Sequence, residues 1–375
     1  MVPVTRGDPT EREDFLTRSV RGTQPGPDVG TLRVDTTALV SALLDGPVAV
    51  ELTSSCTHAL EAASLLLGIG PGDEVVVPAF TFSSTANPFL LRGATLRFAD
   101  VDPLTGNLDP ASVAERTSPR TRAVVCVHYG GVAADLDRLV PMAEQGDWDL
   151  VEDAAQGLFG SLHGRPLGRF GRVGALSFHH TKNISAGEGG ALVVNDPALV
   201  GSVPVLLDKG NDREAFDRGL VNAYEWSGPG SSWRMPDAAV DRLATELARR
   251  DEVQRARHRI WDTYARELTS WSSATGARLP VVPPGAAHPA HLFWVLLPPA
   301  TARERFLAHC VERGVRCTRH YGSLPRTRFG RTVALPGDIC PVADEFADRL
   351  VRLPLGPEMD EGDVDRVLVA VTAFR

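Results

Sequence analysis

Between residues 48 and 196, short β-branched runs alternate with helical stretches, and this alternation limits the folds open to the chain more than any other feature. The runs are Val48–Leu52, Glu74–Val77, Thr95–Val101, Thr121–His128, Leu150–Asp153, Ala175–Phe178 and Ala191–Val194. Helical patterns separate several of them, at Thr57–Leu67, Pro110–Glu115 and Leu136–Glu144. Strands alternating with helices predict an α/β fold, a mainly parallel sheet flanked by helices on both faces, because parallel neighbours need a crossover that a helix supplies. The segment Met235–Leu268 is rich in Ala, Leu, Arg and Glu, lacks Gly, and predicts one or two long helices. Beyond it we expect a strand at Leu292–Leu297, a helix near Ala302–Arg313, a strand at Val315–Tyr321 and terminal helices. With 375 residues, 43% of them hydrophobic, the chain can bury more than one core. We therefore expect a large domain over residues 1–240, N-terminal segment included, and a smaller α+β domain over residues 241–375.

Composition narrows the chemistry. A net charge of -8 offers no electrostatic footprint for nucleic acid or an anionic membrane. Five cysteines without CxxC spacing suggest neither a disulfide framework nor a cysteine zinc site, so a reducing cytoplasm is expected. The first thirty residues lack an apolar run, and no later stretch approaches the roughly twenty apolar residues of a membrane helix, so we expect no export signal and no span. Only two residues are lysine, Lys182 and Lys209. Any chemistry that needs an amine has two candidates.

Four features carry chemistry. The turn Thr53-Ser54-Ser55-Cys56-Thr57 joins a strand to a helix through hydroxyl residues. Free amides at a helix start, the helix dipole and the hydroxyls together favour a phosphate, although a plain N-cap serine would look the same. In Asp149-Leu150-Val151-Glu152-Asp153-Ala154-Ala155-Gln156 an apolar strand ends in two acids, and strand alternation puts Glu152 and Asp153 on opposite faces. Asp153 is the better candidate for a buried carboxylate that keeps a ring nitrogen protonated, with Gln156 as a hydrogen-bonding neighbour. A strand-end Asp capping a turn is the ordinary alternative. Lys182 follows the strand that ends in Ser177-Phe178-His179-His180 and precedes the Gly-rich loop Gly187-Glu188-Gly189-Gly190. A lysine held in a pocket loses basicity and can condense with an aldehyde, whereas an exposed one is a solvated charge. Phe80 and Phe82, after the strand Glu74–Val77, can stack on a planar ring or simply fill core. A phosphate cradle, a ring stacker, a carboxylate for a pyridine nitrogen and an amine for an aldehyde are what pyridoxal 5′-phosphate requires.

These residues resemble those of the DegT-type nucleotide-sugar aminotransferases, within the fold type I pyridoxal phosphate enzymes, from about residue 45 to the C-terminus. The likeness is densest at Ser54-Ser55-Cys56-Thr57, Pro71-Gly72-Asp73-Glu74-Val75, Val151 to Gln156 and Ser177 to Asn183. Leu90-Leu91-Arg92-Gly93-Ala94, His128-Tyr129-Gly130-Gly131-Val132 and Lys209-Gly210-Asn211 are most similar to the bacterial dTDP-4-amino-4,6-dideoxygalactose transaminases. The resemblance implies a seven-stranded sheet. It also implies that Lys182 bonds the cofactor and shuttles the proton, that Asp153 pairs with the pyridine nitrogen, and that His179 flanks the lysine. Gln156 would approach the ring hydroxyl and Phe82 would stack. Ser55, Thr57, Ser177 and the amides after Cys56 would hold the phosphate. It further implies a homodimer with shared active sites, completed by the partner's loop near Tyr224 to Met235. Two departures stand out. Ser232 occupies the place where family members commonly carry an Asn that reaches the neighbouring cofactor phosphate. The run His320-Tyr321-Gly322-Ser323-Leu324-Pro325 stands where relatives carry Pro-Leu-His after a His-Tyr pair.

The expected reaction is a ping-pong transamination from L-glutamate to the C-4 keto group of a dTDP-linked 4-keto-6-deoxy sugar or a related keto-sugar nucleotide. Alternatives are another keto position, a pentose nucleotide, or a non-catalytic cofactor-binding regulator. A sugar 3-dehydratase on the same fold would carry His in place of Lys182. An NAD oxidoreductase fits poorly, because Gly68-Ile69-Gly70-Pro71-Gly72 precedes a strand instead of opening a helix. His179-His180 and His288 to His291 have no HExxH frame, so no metal is expected.

Overall fold

The computed structural model describes residues 29–46, 49–298 and 302–374. Val48, expected in the first strand, and the N-terminal part of the expected large domain lie outside the described residues. Seven strands form the main sheet: β1 (Ala49–Thr53), β2 (Glu74–Pro78), β3 (Thr95–Ala99), β4 (Thr121–Val127), β5 (Asp149–Ala154), β8 (Val173–Ser177) and β9 (Gly190–Val194). Two further pairs of residues, β6 (Ser161–Leu162) and β7 (Arg165–Pro166), form a hairpin between β5 and β8. The order across the main sheet is β1-β9-β8-β5-β4-β2-β3. β3, β2, β4, β5 and β8 run parallel, and β9 is antiparallel to both of its neighbours. The fold is therefore the mainly parallel α/β sheet that the strand–helix alternation predicts.

Every residue of β2, β8 and β9 is buried, as expected of strands covered on both faces. The pleat divides them between two cores. Val75, Val77, Val125 and Val151 pack with the helix Cys56–Leu66, while Val76, Val124 and Leu150 pack with the helices Pro110–Arg116 and Leu136–Gly146. The Gly-free segment forms two consecutive helices, Asp237–Ala248 and Arg250–Glu267. After them, β10 (Ala286–Ala287) pairs with β6. A second sheet has the order β11-β13-β12, from β11 (Phe293–Leu296), β12 (Thr318–Arg319) and β13 (Leu350–Leu353).

The strand expected over Val315–Tyr321 is only two residues long. β12 has one neighbour, the four-residue β13, and pairs with it through Thr318 and Arg319 alone. His320 and Tyr321 then leave the ladder so that Ser323 can bridge to Phe80.

Candidate active site

Pleat parity and strand direction bring the carboxyl ends of β1, β2, β4, β5 and β8 to one edge of the sheet, the edge at which open α/β sheets bind ligands. A cavity of about 1440 Å³ lies there. Ser55, Cys56, Thr57, Phe82, Asp153, Gln156, Ser177, His179 and Lys182 all line it. Residues spread over more than 120 sequence positions therefore converge.

The turn after β1 starts the helix Cys56–Leu66 with Ser55 in extended geometry, its hydroxyl accepting from the His58 amide at 3.0 Å. The Cys56 and Thr57 amides belong to the first turn, which has no intrahelical acceptor for them. Thr57 Oγ1 donates to Ser84 at 2.8 Å, so a second hydroxyl stands beside the turn. Gly190 of β9 lies directly under the helix start: a Cβ there would come within 2.4 Å of the Cys56 nitrogen. Burial pushes the Cys56 thiol well above its usual range and keeps it neutral.

On β5 the two acids separate as their alternation requires. Glu152 points away from the cavity, where its carboxylate accepts from the amides of Gly168, Phe170 and Gly171 at 2.8, 2.5 and 2.6 Å and lies 2.9 Å from His128 Nε2. Asp153 points into the cavity and is buried. One of its oxygens accepts from Thr85 Oγ1 at 2.7 Å and the other from the Ala155 amide at 3.1 Å. Because the Thr85 hydroxyl proton goes to Asp153, Thr81, 2.7 Å away, must donate to Thr85. Gln156 is oriented at both ends of its amide, accepting from Gly130 at 2.8 Å and donating to Tyr321 at 2.9 Å.

Lys182 lies in the turn beyond β8, its own amide bonded to the His179 carbonyl at 2.9 Å. Burial lowers its basicity, which the nearby Cys56 and Asp153 partly restore and the Arg352 charge lowers further. Ser177 ends β8 and is buried. The His179 ring is held by Thr181 at 2.9 Å and approaches Glu188 at 3.3 Å; burial pulls its pKa down despite that carboxylate. Phe82 is 57% exposed, with its ring left uncovered beside the cavity. Ser232 lies outside the cavity of its own chain, on an exposed stretch bridged to Asp208. The second lysine, Lys209, is exposed and ion-paired with Asp208 at 2.5 Å.

Sequence reasoning did not find Thr81, Thr85, His291 or Arg352. Only the hydroxyl-rich run Thr81 to Thr85 carried a local signal. His291 braces the residue after the lysine through Asn183 at 2.8 Å, a contact across 108 positions.

The donor set fits pyridoxal phosphate. Asp153 keeps acceptor capacity after its two bonds, one aromatic face is bare, a capped helix start offers amides and hydroxyls, and an amine of lowered basicity faces the same space.

Comparisons with known proteins agree. A family profile described as the DegT/DnrJ/EryC1/StrS aminotransferase family matches residues 40–372. The spore coat polysaccharide biosynthesis protein SpsC of Bacillus subtilis (strain 168) is 34% identical over 330 residues, which cover 85% of this chain and 83% of that protein. Among solved structures, the aminotransferase TlmJ from Streptoalloteichus hindustanus is 30% identical with a TM-score of 0.82, covering 98% of this chain and 96% of its own. DesV from S. venezuelae, solved in complex with a ketimine intermediate, is 29% identical with a TM-score of 0.83, covering 97% and 94%.

Proposed function

The chain belongs to the DegT/DnrJ/EryC1/StrS aminotransferase family, and from that premise we propose that it moves the amino group of L-glutamate to the C-4 keto group of a dTDP-linked 4-keto-6-deoxy sugar or a related keto-sugar nucleotide. Its family consists of pyridoxal phosphate-dependent sugar aminotransferases, and the chain is an enzyme of that kind. When bound, the cofactor supplies an aldehyde for the amine and a ring that draws off the electrons released at the amino-bearing carbon.

The protein's residues do the rest. Lys182 Nζ anchors the cofactor and, being less basic than a solvated lysine, moves a proton on and off the substrate carbon. Asp153 holds a proton on the ring nitrogen, and its own place is fixed by Thr85. Phe82 covers a ring face. Ser55, Thr57, Ser177 and the amides after Cys56 take the phosphate, Gln156 approaches the ring hydroxyl, and His179 flanks the lysine. The observation that carries this reading is that one of only two lysines faces the same cavity as a buried, threonine-oriented aspartate.

We also propose a homodimer with shared sites. Trp226, 83% exposed, and its exposed neighbours Leu220 and Tyr224 form an apolar surface on the segment that carries Ser232, and a second copy would cover it and bring Ser232 to the partner's phosphate. Among the described residues no helix is long and apolar enough to cross a membrane. The five unpaired cysteines suit a reducing cytoplasm.

The test is an absorption spectrum of the protein with pyridoxal phosphate, before and after L-glutamate. The visible band of lysine-bound cofactor should give way to the near-ultraviolet band of its amino form, and Lys182→Ala should show neither. A panel of 4-keto hexose, 3-keto hexose and 4-keto pentose nucleotides should then regenerate the visible band with the 4-keto hexose fastest. Preference for another member would reassign the acceptor.

A further inference from the structure

Among the described residues, six buried side-chain polar atoms have no hydrogen-bond partner. Five belong to Asp, Asn and Arg side chains that still engage a neighbour through a hydrogen bond or an ion pair. The sixth is the hydroxyl of Ser323, the only polar group of that side chain. Ser323 is 2% exposed and lines the cavity. A buried hydroxyl can donate once and accept twice, and one left without any partner calls for an explanation.

The main chain fixes where this hydroxyl stands. Ser323 bridges to Phe80 beyond β2, and the next amide, that of Leu324, donates to the Ala79 carbonyl at 2.8 Å. Ser323 also precedes the short helical turn Leu324–Arg326, where a serine ordinarily accepts from the amides of the turn. This one makes no such bond. Every other polar side chain between residues 320 and 327 is engaged. His320 is held by Tyr129 at 3.1 Å, Tyr321 by Gln156 at 2.9 Å, Arg326 by Asp348 at 2.8 Å, and Thr327 by the Leu324 carbonyl at 2.7 Å. The run is ordered without the Ser323 hydroxyl, which is left over to meet a ligand.

We propose that the Ser323 hydroxyl selects the acceptor by hydrogen bonding a ring hydroxyl of the keto sugar. This deepens the acceptor half of the function proposed above and rests on it. Chemistry chooses the sugar over the amino donor and over the diphosphate. Carboxylates and phosphates draw charged donors, and the cation of this run, Arg326, is turned to Asp348. The rings of Tyr321 and Phe82, 6.0 Å apart, line the same cavity and carry no charge. A neutral group that both donates and accepts, set in a cavity with aromatic surface, matches a deoxysugar, which presents hydroxyls and C–H bonds together. Ser323 also falls in the run that departs from the Pro-Leu-His of relatives, so the contact separates this chain's acceptor from theirs.

The two half-reactions and the sugar's own hydroxyls test the assignment. Glutamate-driven loss of the visible band and its return with a dTDP-linked 4-keto-6-deoxyhexose are followed in single turnover for the wild type, Ser323→Ala and Ser323→Thr. Ser323→Ala should raise the keto-sugar concentration for half-maximal return by about tenfold, with a smaller effect on glutamate, and Ser323→Thr should recover part of the loss. Among acceptors that each lack one ring hydroxyl, one should erase the difference between wild type and Ser323→Ala. Because the hydroxyl has no partner in the protein, the urea midpoint of Ser323→Ala should not fall. Independently of turnover, dTDP-6-deoxyglucose, unreactive for want of a keto group, should raise the melting temperature of the cofactor-loaded wild type more than that of Ser323→Ala, while dTDP raises both alike. Equal keto-sugar dependence in wild type and variant, or a lowered urea midpoint with both halves impaired together, would overturn the assignment. A loss confined to the glutamate half would overturn it in favour of the donor. A wild type that binds dTDP-6-deoxyglucose better than Ser323→Ala yet never returns the visible band with the keto sugar would sink the transfer proposed above and leave the sugar contact standing.

Discussion

Glu152 and Asp153 are adjacent in sequence and chemically alike, and the pleat gives them opposite tasks. Glu152 holds together the loop Gly168 to Gly171 from a buried position, while Asp153 faces the cavity with its remaining acceptor capacity. Replacing each by its amide should separate the roles. Asp153→Asn cannot stabilise a proton on the ring nitrogen and should lower turnover by about two orders of magnitude or more at near-normal stability. Glu152→Gln presents an NH₂ to backbone donors and should cost about 2 to 4 kcal/mol in denaturant unfolding. Steady-state rates and urea midpoints measured on both variants decide the pair; equal effects on both readouts would refute the division. Asp153 was legible because a strand end and a parity rule point to it, and Lys182 because amines are scarce in this chain. Thr85 was not legible: its bond to Asp153 spans 68 positions, and a threonine in a turn has many local explanations.

At the scale of elements, the helix Cys56–Leu66 and strand β9 meet at a contact that only glycine allows. A Cβ on Gly190 would lie 2.4 Å from the Cys56 nitrogen and 2.5 Å from the Ser55 carbonyl carbon, both backbone atoms. Gly190→Ala should therefore shift the helix start and weaken cofactor retention by about tenfold or more, read by titrating the visible band with pyridoxal phosphate. Ser55→Ala removes a cap as well as a hydroxyl and should cost about 1 kcal/mol of stability. A Gly190→Ala protein that binds cofactor normally would show that the turn does not need this packing. Both elements were readable in advance, because buried strands and capped helices announce themselves locally. The overlong strand at Val315–Tyr321 was misread for the converse reason. Its β-forming residues are real, but a ladder extends only as far as its partner, and the partner's length is written elsewhere in the chain.

On the scale of the whole molecule, the segment that carries His288 and His291 ties the turn of Lys182, through Asn183, to the helix Arg250–Glu267, through Trp261. Burial holds His288 down at about 4, with the His258 charge lowering it further and Asp262 opposing. Its ring lies 4.2 Å from that of Trp261 on the long helix. The folded state thus resists a proton that the unfolded chain accepts, so stability is intact above the ordinary histidine pKa of 6.5 and declines as pH falls from there towards 4. Urea midpoints measured from pH 7.5 to 4 should fall, and those of His288→Gln should fall less steeply; parallel curves would exclude His288 as a contributor. Sequence pattern could predict a parallel sheet at this scale but not its order. β1 and β9 pair across some 140 positions and β9 runs against its neighbours, facts that depend on where the crossovers land and not on any local preference.

The lysine count has a practical side. With the cavity lysine claimed by cofactor, Lys209 is the one side-chain amine left to an acylating reagent, and its amide donates to the Ser231 carbonyl on the stretch proposed to meet the partner. Acylation of Lys209 should therefore be slow while two copies are joined and faster when dilution parts them. An amine-reactive label then reports association through a single side chain.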